Sequence, residues 1–141
     1  MTPLLTMIVT WLAMNFALPA NYSHPSIAFI PEAEIYKIRY GDYNTGSGFG
    51  EVIAVYDTIN ETIYLPQNWT AVAPADVSVL VHEMAHHLQK KAGLEYDCGG
   101  AREAIAYAAQ ARWLEQSGTD LEREFGFDRM TIKVLTTCQF H

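Results

Sequence analysis

The feature that most constrains this 141-residue chain is the run His82–His86, with the sequence HEMAH, inside a stretch that predicts one helix from about Pro74 to Lys91. Residues i and i+4 lie on one helical face about 6 Å apart, so both imidazoles can reach a single cation. Pro74 suits the first helical position, and Gly93 suits the position just past the end. We therefore expect a rigid helix with both histidines near its middle.

The residues around the two histidines support a zinc site. Four apolar residues form a stripe that would pack the helix on a core, leaving the histidines on the adjacent stripe. These four are Leu80, Val81, Met84 and Leu88. Glu83 is the residue type that a water-activating base requires. The alternative is a partly buried histidine pair that makes only ordinary hydrogen bonds.

A catalytic zinc usually takes three protein ligands and keeps a fourth position for water. His87 is turned about 100° away from the ligand face. The metzincin pattern needs a third histidine where Ala92 stands, which excludes that class. The third ligand must therefore come from another part of the chain.

Cys98–Leu114 predicts a second helix, in which Glu103 is the one carboxylate on a mostly uncharged face. An unpaired charge there would be costly unless it met a cation, and zinc would supply one. We therefore expect Glu103 as the third ligand. Two alternatives stay open. In the first, Glu103 reaches water or pairs with Arg102 or Arg112. In the second, Glu95 or Asp97, in the loop before this helix, binds the metal instead.

His-Glu-x-x-His followed by a glutamate on the next helix resembles the gluzincin class of zinc metallopeptidases, in its minimal single-domain form. Cys-x4-Glu-x3-Tyr-x2-Gln-x2-Trp-Leu, the Trp11-Leu12 helix and the Leu18-Pro19 break are similar to a family of small uncharacterised bacterial proteins with this motif. The resemblance implies that His82, His86 and Glu103 bind zinc and that Glu83 is the base. Tyr107 stands where gluzincins often carry an acid that orients a zinc histidine, and a phenol can also form that hydrogen bond.

The first twenty residues allow two interpretations. Leu4–Leu18 is apolar enough for a signal peptide that would end near Ala20, but no Lys or Arg precedes it. The alternative, which we favour, is a structural helix with Thr2 as N-cap and Pro3 in the first position. The segment is too short for a membrane span.

The middle of the chain predicts a small sheet. Ser26–Ile30 is β-prone, Pro31–Tyr40 predicts a short helix, and Val52–Tyr56 with Thr62–Leu65 predicts a hairpin. Gly46–Gly50 lacks the lysine of a phosphate loop and predicts a flexible loop. The expected fold is α+β and zincin-like: one domain over residues 1–141, with a small, mainly antiparallel sheet packed on the N-terminal helix, the His-Glu-x-x-His helix and the Glu103 helix.

The C-terminal part predicts further helices and a disulfide. Thr119–Glu122 is a capping-box pattern, and Asp128 predicts the start of a last helix that runs through Thr137. We expect Cys98 and Cys138 to be bridged, which would favour an extracytoplasmic or secreted location. Two free thiols, or a cysteine as a fourth zinc ligand that closes the site, are the alternatives.

The net charge of −7 and the pI near 5.1 disfavour nucleic acid and anionic membranes as partners. We expect a peptide or protein substrate, hydrolysed by a zinc-bound water that Glu83 activates. Tyr107, Tyr96 and His87 are candidates for a further transition-state donor. The alternatives are a zinc amide hydrolase acting on a non-protein or cell-wall peptide, and a non-catalytic, zinc-stabilised binding or inhibitory protein.

Overall fold

A computed structural model describes residues 1–40 and 54–138, and these residues confirm the predicted α+β class. Helices predominate over a small sheet. In chain order the elements are α1 (Thr2–Phe16), β1 (Ser26–Ile30), α2 (Glu32–Tyr40), β2 (Val55–Asp57), β3 (Thr62–Pro66), α3 (Pro74–Lys91), α4 (Gly99–Gln116), α5 (Leu121–Phe125) and α6 (Arg129–Thr136). The predicted loop Gly46–Gly50 and the first two residues of the predicted hairpin lie outside the described residues.

Helix α1 begins one residue earlier than predicted. The backbone N–H of Leu5 donates to the carbonyl of Met1 at 3.0 Å, so Met1 is the N-cap and Thr2 is already helical. The helix ends at Ala17, which adopts a left-handed conformation with φ of 55° shortly before Pro19. The buried residues recur every three or four positions and form one face: Leu5, Ile8, Val9 and Leu12.

This apolar face of α1 packs into the main core. Leu12 is fully buried, and the ring N–H of Trp11 donates to Gln116 Oε1 on α4 at 3.0 Å. The rings of Trp11 and Trp113 meet edge to face with centroids 5.0 Å apart. This is the arrangement that the structural-helix interpretation predicts. Within residues 1–40 and 54–138, no helix is both long and apolar enough to span a membrane.

The three described strands form a mixed sheet in the order β1-β3-β2. The predicted hairpin is present: β2 and β3 are antiparallel, and the Asp57 carboxylate accepts hydrogen bonds from the N–H groups of Ile59 and Asn60 in the turn. Strand β1, however, is parallel to β3, with Ser26 opposite Thr62. The expectation of a mainly antiparallel sheet is therefore corrected. The long connection through α2 allows a parallel pairing that no tight turn permits.

The last two helices are capped by aspartates. Asp120 accepts a hydrogen bond from the N–H of Arg123 at 2.7 Å, so the N-cap of α5 is one residue later than the predicted capping box at Thr119. Asp128 accepts from the N–H of Thr131 at 2.8 Å and caps α6, as predicted. Both caps satisfy N–H groups that the helix itself leaves unpaired.

The predicted disulfide joins Cys98 to Cys138, whose Cα atoms are 5.7 Å apart. Cys98 is also the N-cap of α4, and its sulfur accepts a hydrogen bond from the N–H of Ala101 at 3.4 Å. The bridge excludes the two alternatives, which were free thiols and a cysteine as a fourth zinc ligand. It ties the first turn of α4, the helix that carries Glu103, to the segment after α6.

Removing this bridge should destabilise the fold. The cysteines are 40 residues apart, and closing a loop of that length stabilises the native state by about 4 kcal/mol through the entropy of the unfolded chain. We expect the double variant Cys98→Ser with Cys138→Ser to unfold at a clearly lower urea concentration. Reduction of the parent protein should produce the same loss. Equal free energies of unfolding for the variant and the oxidised parent would contradict this role.

Candidate metal site

Helix α3 is held at both ends, and its observed bounds confirm the predicted ones. At the start, Pro74 occupies the first turn, and the Asp76 carboxylate accepts from the N–H of Thr70 at 3.0 Å. At the end, Gly93 adopts a φ of 65°, and the next N–H donates back to the carbonyl of Gln89 at 3.1 Å. These bonds satisfy the last carbonyls in a Schellman-type turn. The two histidines therefore lie in a well-anchored helix.

The predicted apolar stripe of α3 is buried in the core. Each of its residues is at most 1% exposed: Leu80, Val81, Met84 and Leu88. His82 and Glu83 are each only 4% exposed, which places them at the boundary between the core and the adjacent helix. Core packing on one stripe thus orients the neighbouring stripe, as the sequence pattern predicts.

Helix α4 lies antiparallel to α3. His82 contacts Gln110 near the far end of α4, whereas His86 contacts Glu103 near its start. The contacts therefore run in opposite sequence directions along the two helices. Ala106 is fully buried between these contacts, and small side chains of this kind allow two helices to approach closely.

The three residues predicted as ligands come together between these helices. Glu103 Oε1 lies 3.0 Å from Nε2 of His82 and 3.0 Å from Nε2 of His86. One ligand atom from each residue falls within 4.8 Å of the others, so the cluster could hold a metal ion. The carboxylate of Glu103 thus meets two imidazoles rather than an arginine or open water.

The donor set is one that a metal ion such as zinc could accept. Two imidazole nitrogens and one carboxylate oxygen are a usual protein ligand set, and bonds of about 2.1 Å in a tetrahedron place donor atoms roughly 3.4 Å apart. The observed separation of 3.0 Å between each Nε2 and Glu103 Oε1 is close to this value. Small adjustments of the side chains would therefore complete the site.

Contacts within the cluster shift the pKa values of Glu103 and His86. Burial acts to raise the pKa of the Glu103 carboxyl, but the hydrogen bonds and charges of His82 and His86 outweigh burial and hold this pKa well below its ordinary value. For His86, burial acts to lower the pKa of the imidazole, and the hydrogen bond and charge of Glu103 outweigh it and raise this pKa. Glu103 therefore stays an anion that attracts a cation.

Two glutamines that the sequence analysis did not select support the histidines. Gln110 Oε1 lies 2.9 Å from Nδ1 of His82, and Gln89 Oε1 lies 2.8 Å from Nδ1 of His86. Their positions carried a signal, since Gln89 lies on the histidine stripe of α3 and Gln110 lies on the Glu103 face of α4. Polar residues on a ligand-bearing face are candidates for such support.

A cleft of about 640 Å³ opens beside the cluster. Its described lining comes from α2, β2 and the turn after it, α3, α4 and the loop between α3 and α4: Arg39, Val55, Tyr56, Thr58, Glu83, His86, Gln89, Lys90, Gly93, Leu94, Glu95, Arg102 and Glu103. Glu83 thus shares the cleft with two of the three cluster residues. The rival ligand Glu95 is exposed at the cleft wall and is not one of the three residues that form the cluster, and Asp97 is also exposed.

The three candidates for a transition-state donor occupy different places. Tyr107 is 8% exposed, and its ring meets the His82 ring edge to face with centroids 4.5 Å apart. Tyr96 lies in the loop after α3, outside the described lining of the cleft. His87 is fully buried and faces away from the cluster, because its ring nitrogens contact Tyr56 Oη and the Ser23 carbonyl, each at 2.8 Å. The expectation that His87 could be a transition-state donor is therefore wrong, and its role is structural.

Tyr56 on β2 is a cleft residue that the sequence analysis missed. Its hydroxyl contacts Nδ1 of His87 across to α3. Burial, with smaller effects from the charges of Glu61 and Asp57, raises the pKa of Tyr56 to about 12. The side chain therefore stays a neutral phenol at physiological pH and joins the sheet to the metal-site helix.

The fold and the cluster together define a small α+β protein with a His-His-Glu site that could hold a metal ion. The chain belongs to the family described as "Domain of unknown function (DUF6647)", whose model matches residues 1–141. Comparison with curated proteins found no match, and comparison with solved structures found none.

Proposed function

We propose that this protein is a zinc-dependent metallopeptidase of the gluzincin type. His82, His86 and Glu103 would bind the zinc ion, and Glu83 would act as the general base. The observation that carries the proposal is the convergence of three ligand atoms within 4.8 Å beside a cleft that Glu83 also lines. A histidine pair with a purely structural role would require neither the Glu103 carboxylate in the cluster nor the Glu83 carboxylate at the cleft.

A zinc ion in this site would supply Lewis acidity, which polarises a carbonyl group and makes water more acidic. Glu83 would accept the proton of the attacking water and then transfer it to the leaving amine. Its position between His82 and His86 in α3 keeps the carboxylate on a rigid helix. Its low exposure limits competition from bulk water, and this strengthens its electrostatic effect on reacting groups.

The substrate class follows from the shape and surroundings of the cleft. Strand β2 lines the cleft through Val55 and Tyr56, and among the described strands it lies at one edge of the sheet. An edge strand offers unpaired backbone groups to an extended chain, so a peptide could bind by adding a strand. The Cys98–Cys138 bridge supports an oxidising, extracytoplasmic setting for such a substrate.

A fluorogenic peptide library, with and without a metal chelator, tests the proposed function. We expect cleavage of several unrelated peptides, loss of that activity after chelation, and its return on addition of zinc. An amide hydrolase for cell-wall peptides would cleave only that substrate class, and a binding or inhibitory protein would cleave nothing. Either of these two outcomes with the zinc-loaded protein would contradict the proposal of a peptidase.

A further inference from the structure

We propose that Gln89 and Gln110 are positioning residues that fix the tautomers of both metal histidines. Each glutamine would hold a proton on Nδ1, so that the lone pair of Nε2 faces the cluster. This inference rests on the metal-binding part of the proposed function and does not require hydrolysis. It goes beyond the ligand set, because it names the two residues that fix the tautomer of each histidine.

The hydrogen bonds of Gln110 have only one consistent direction. The hydroxyl of Ser78 donates its proton to the Ala75 carbonyl at 2.7 Å, so its oxygen must accept from the Gln110 amide nitrogen at 3.2 Å. The amide oxygen of Gln110 therefore faces His82. Because this oxygen is only an acceptor, the His82 Nδ1 at 2.9 Å must carry a proton.

The same reasoning applies independently at Gln89. Its amide nitrogen donates to the backbone carbonyl of Arg102 at 3.1 Å, and that carbonyl can only accept. The amide oxygen of Gln89 is thus turned towards His86 Nδ1, 2.8 Å away. Gln89 and Gln110 are 2% and 4% exposed, so water does not compete readily for these bonds.

The hydrogen bonds of Gln89 and Gln110 orient both histidines towards the same cluster. With both Nδ1 atoms bound to the glutamines, Nε2 of His82 and Nε2 of His86 are the ring nitrogens that face Glu103 Oε1, each at 3.0 Å. Each Nε2 either donates a proton to Glu103, as its hydrogen bond in the cluster requires, or loses that proton and offers its lone pair to a metal ion. The glutamine network thus orients the site for a metal. The glutamines also differ from the usual carboxylate partners, because a neutral amide orients an imidazole without adding negative charge.

Nitrogen NMR of the zinc-loaded protein with ¹⁵N-labelled histidine tests the assignment directly. We expect His82 and His86 each to show a protonated Nδ1 that exchanges slowly with solvent and a metal-bound Nε2. Binding of zinc through Nδ1 of either histidine would overturn the proposal. The experiment does not depend on peptide cleavage, so an inactive but zinc-loaded protein would test this inference while contradicting the proposed function.

Variants test whether the glutamines matter for binding. We expect Gln110→Leu and Gln89→Leu each to lower the zinc affinity by about 10-fold to 100-fold, measured by competition with a chelator, and to speed exchange of the Nδ1 proton of the adjacent histidine. Gln110→Glu keeps an acceptor and should keep slow exchange of the Nδ1 proton of His82. This variant tests the role of Gln110 if the leucine variant fails to fold. The matched control is Gln116→Leu, which removes a glutamine hydrogen bond on the same helix away from the site. Zinc affinities of both leucine variants within threefold of the control would contradict the role.

Discussion

Glu103→Ala is expected to lower the zinc affinity of the protein by roughly a thousandfold. A zinc site with three protein ligands gains on the order of 10 kcal/mol or more, so the loss of one ligand should cost about 4 kcal/mol. Glu103 would also supply the negative charge in the ligand set, since both histidines would bind as neutral groups. Competition with a chromophoric chelator of known affinity gives the measurement.

The matched control for this change is Glu95→Ala. Glu95 is an exposed carboxylate at the wall of the same cleft and is one of the two rival ligands from the preceding loop. Its removal should leave zinc affinity within about twofold, because its charge is screened by solvent. If Glu95→Ala loses zinc and Glu103→Ala retains it, the ligand assignment is wrong.

Helix α3 was the most predictable part of the fold. Its apolar stripe, its proline at the start and its glycine past the end are local signals, and the observed helix runs from Pro74 to Lys91 as expected. The placement of His82 and His86 on one face follows from helical periodicity alone. The same periodicity put Glu103 on the face of α4 that meets α3, so the third member of the cluster could be predicted before any contact was known.

The glutamine contacts depend on how the two helices are aligned, which no local pattern specifies. Gln110 reaches His82 only because α4 runs antiparallel to α3 and closely packed alanines such as Ala106 fix the distance between them. A shift of one residue along α4 would turn Gln110 away. The sequence pattern could therefore mark Gln110 as a member of the right face but could not pair it with a histidine.

The other differences from the predicted structure have separate physical origins. The parallel pairing of β1 with β3 joins residues 36 positions apart, such as Ser26 and Thr62, and local alternation does not reveal it. His87 is adjacent to His86 in sequence, but it points towards Tyr56 and Ser23 because helical geometry turns it off the face that carries the cluster. The N-caps of α1 and α5 each differ from prediction by one residue, which reflects competition between neighbouring capping groups.

Glu83→Gln is expected to reduce peptide hydrolysis by at least ~10²-fold while zinc stays bound. The amide keeps the size and the hydrogen-bonding capacity of the carboxylate, but it cannot accept a proton from water. Glu83 is not one of the three cluster residues, so its neutralisation should leave the ligand set intact. Glu95→Gln, which makes the same chemical change elsewhere in the cleft, should keep most of the activity.

The most direct test is a paired measurement of hydrolysis and zinc content on one preparation of Glu83→Gln. The account predicts about one zinc per chain, together with a rate at least ~10²-fold below that of the parent protein. A parent-like rate from the zinc-loaded variant would contradict Glu83 as the base. Loss of zinc along with activity would instead make Glu83 a metal ligand, which also contradicts the mechanism proposed here.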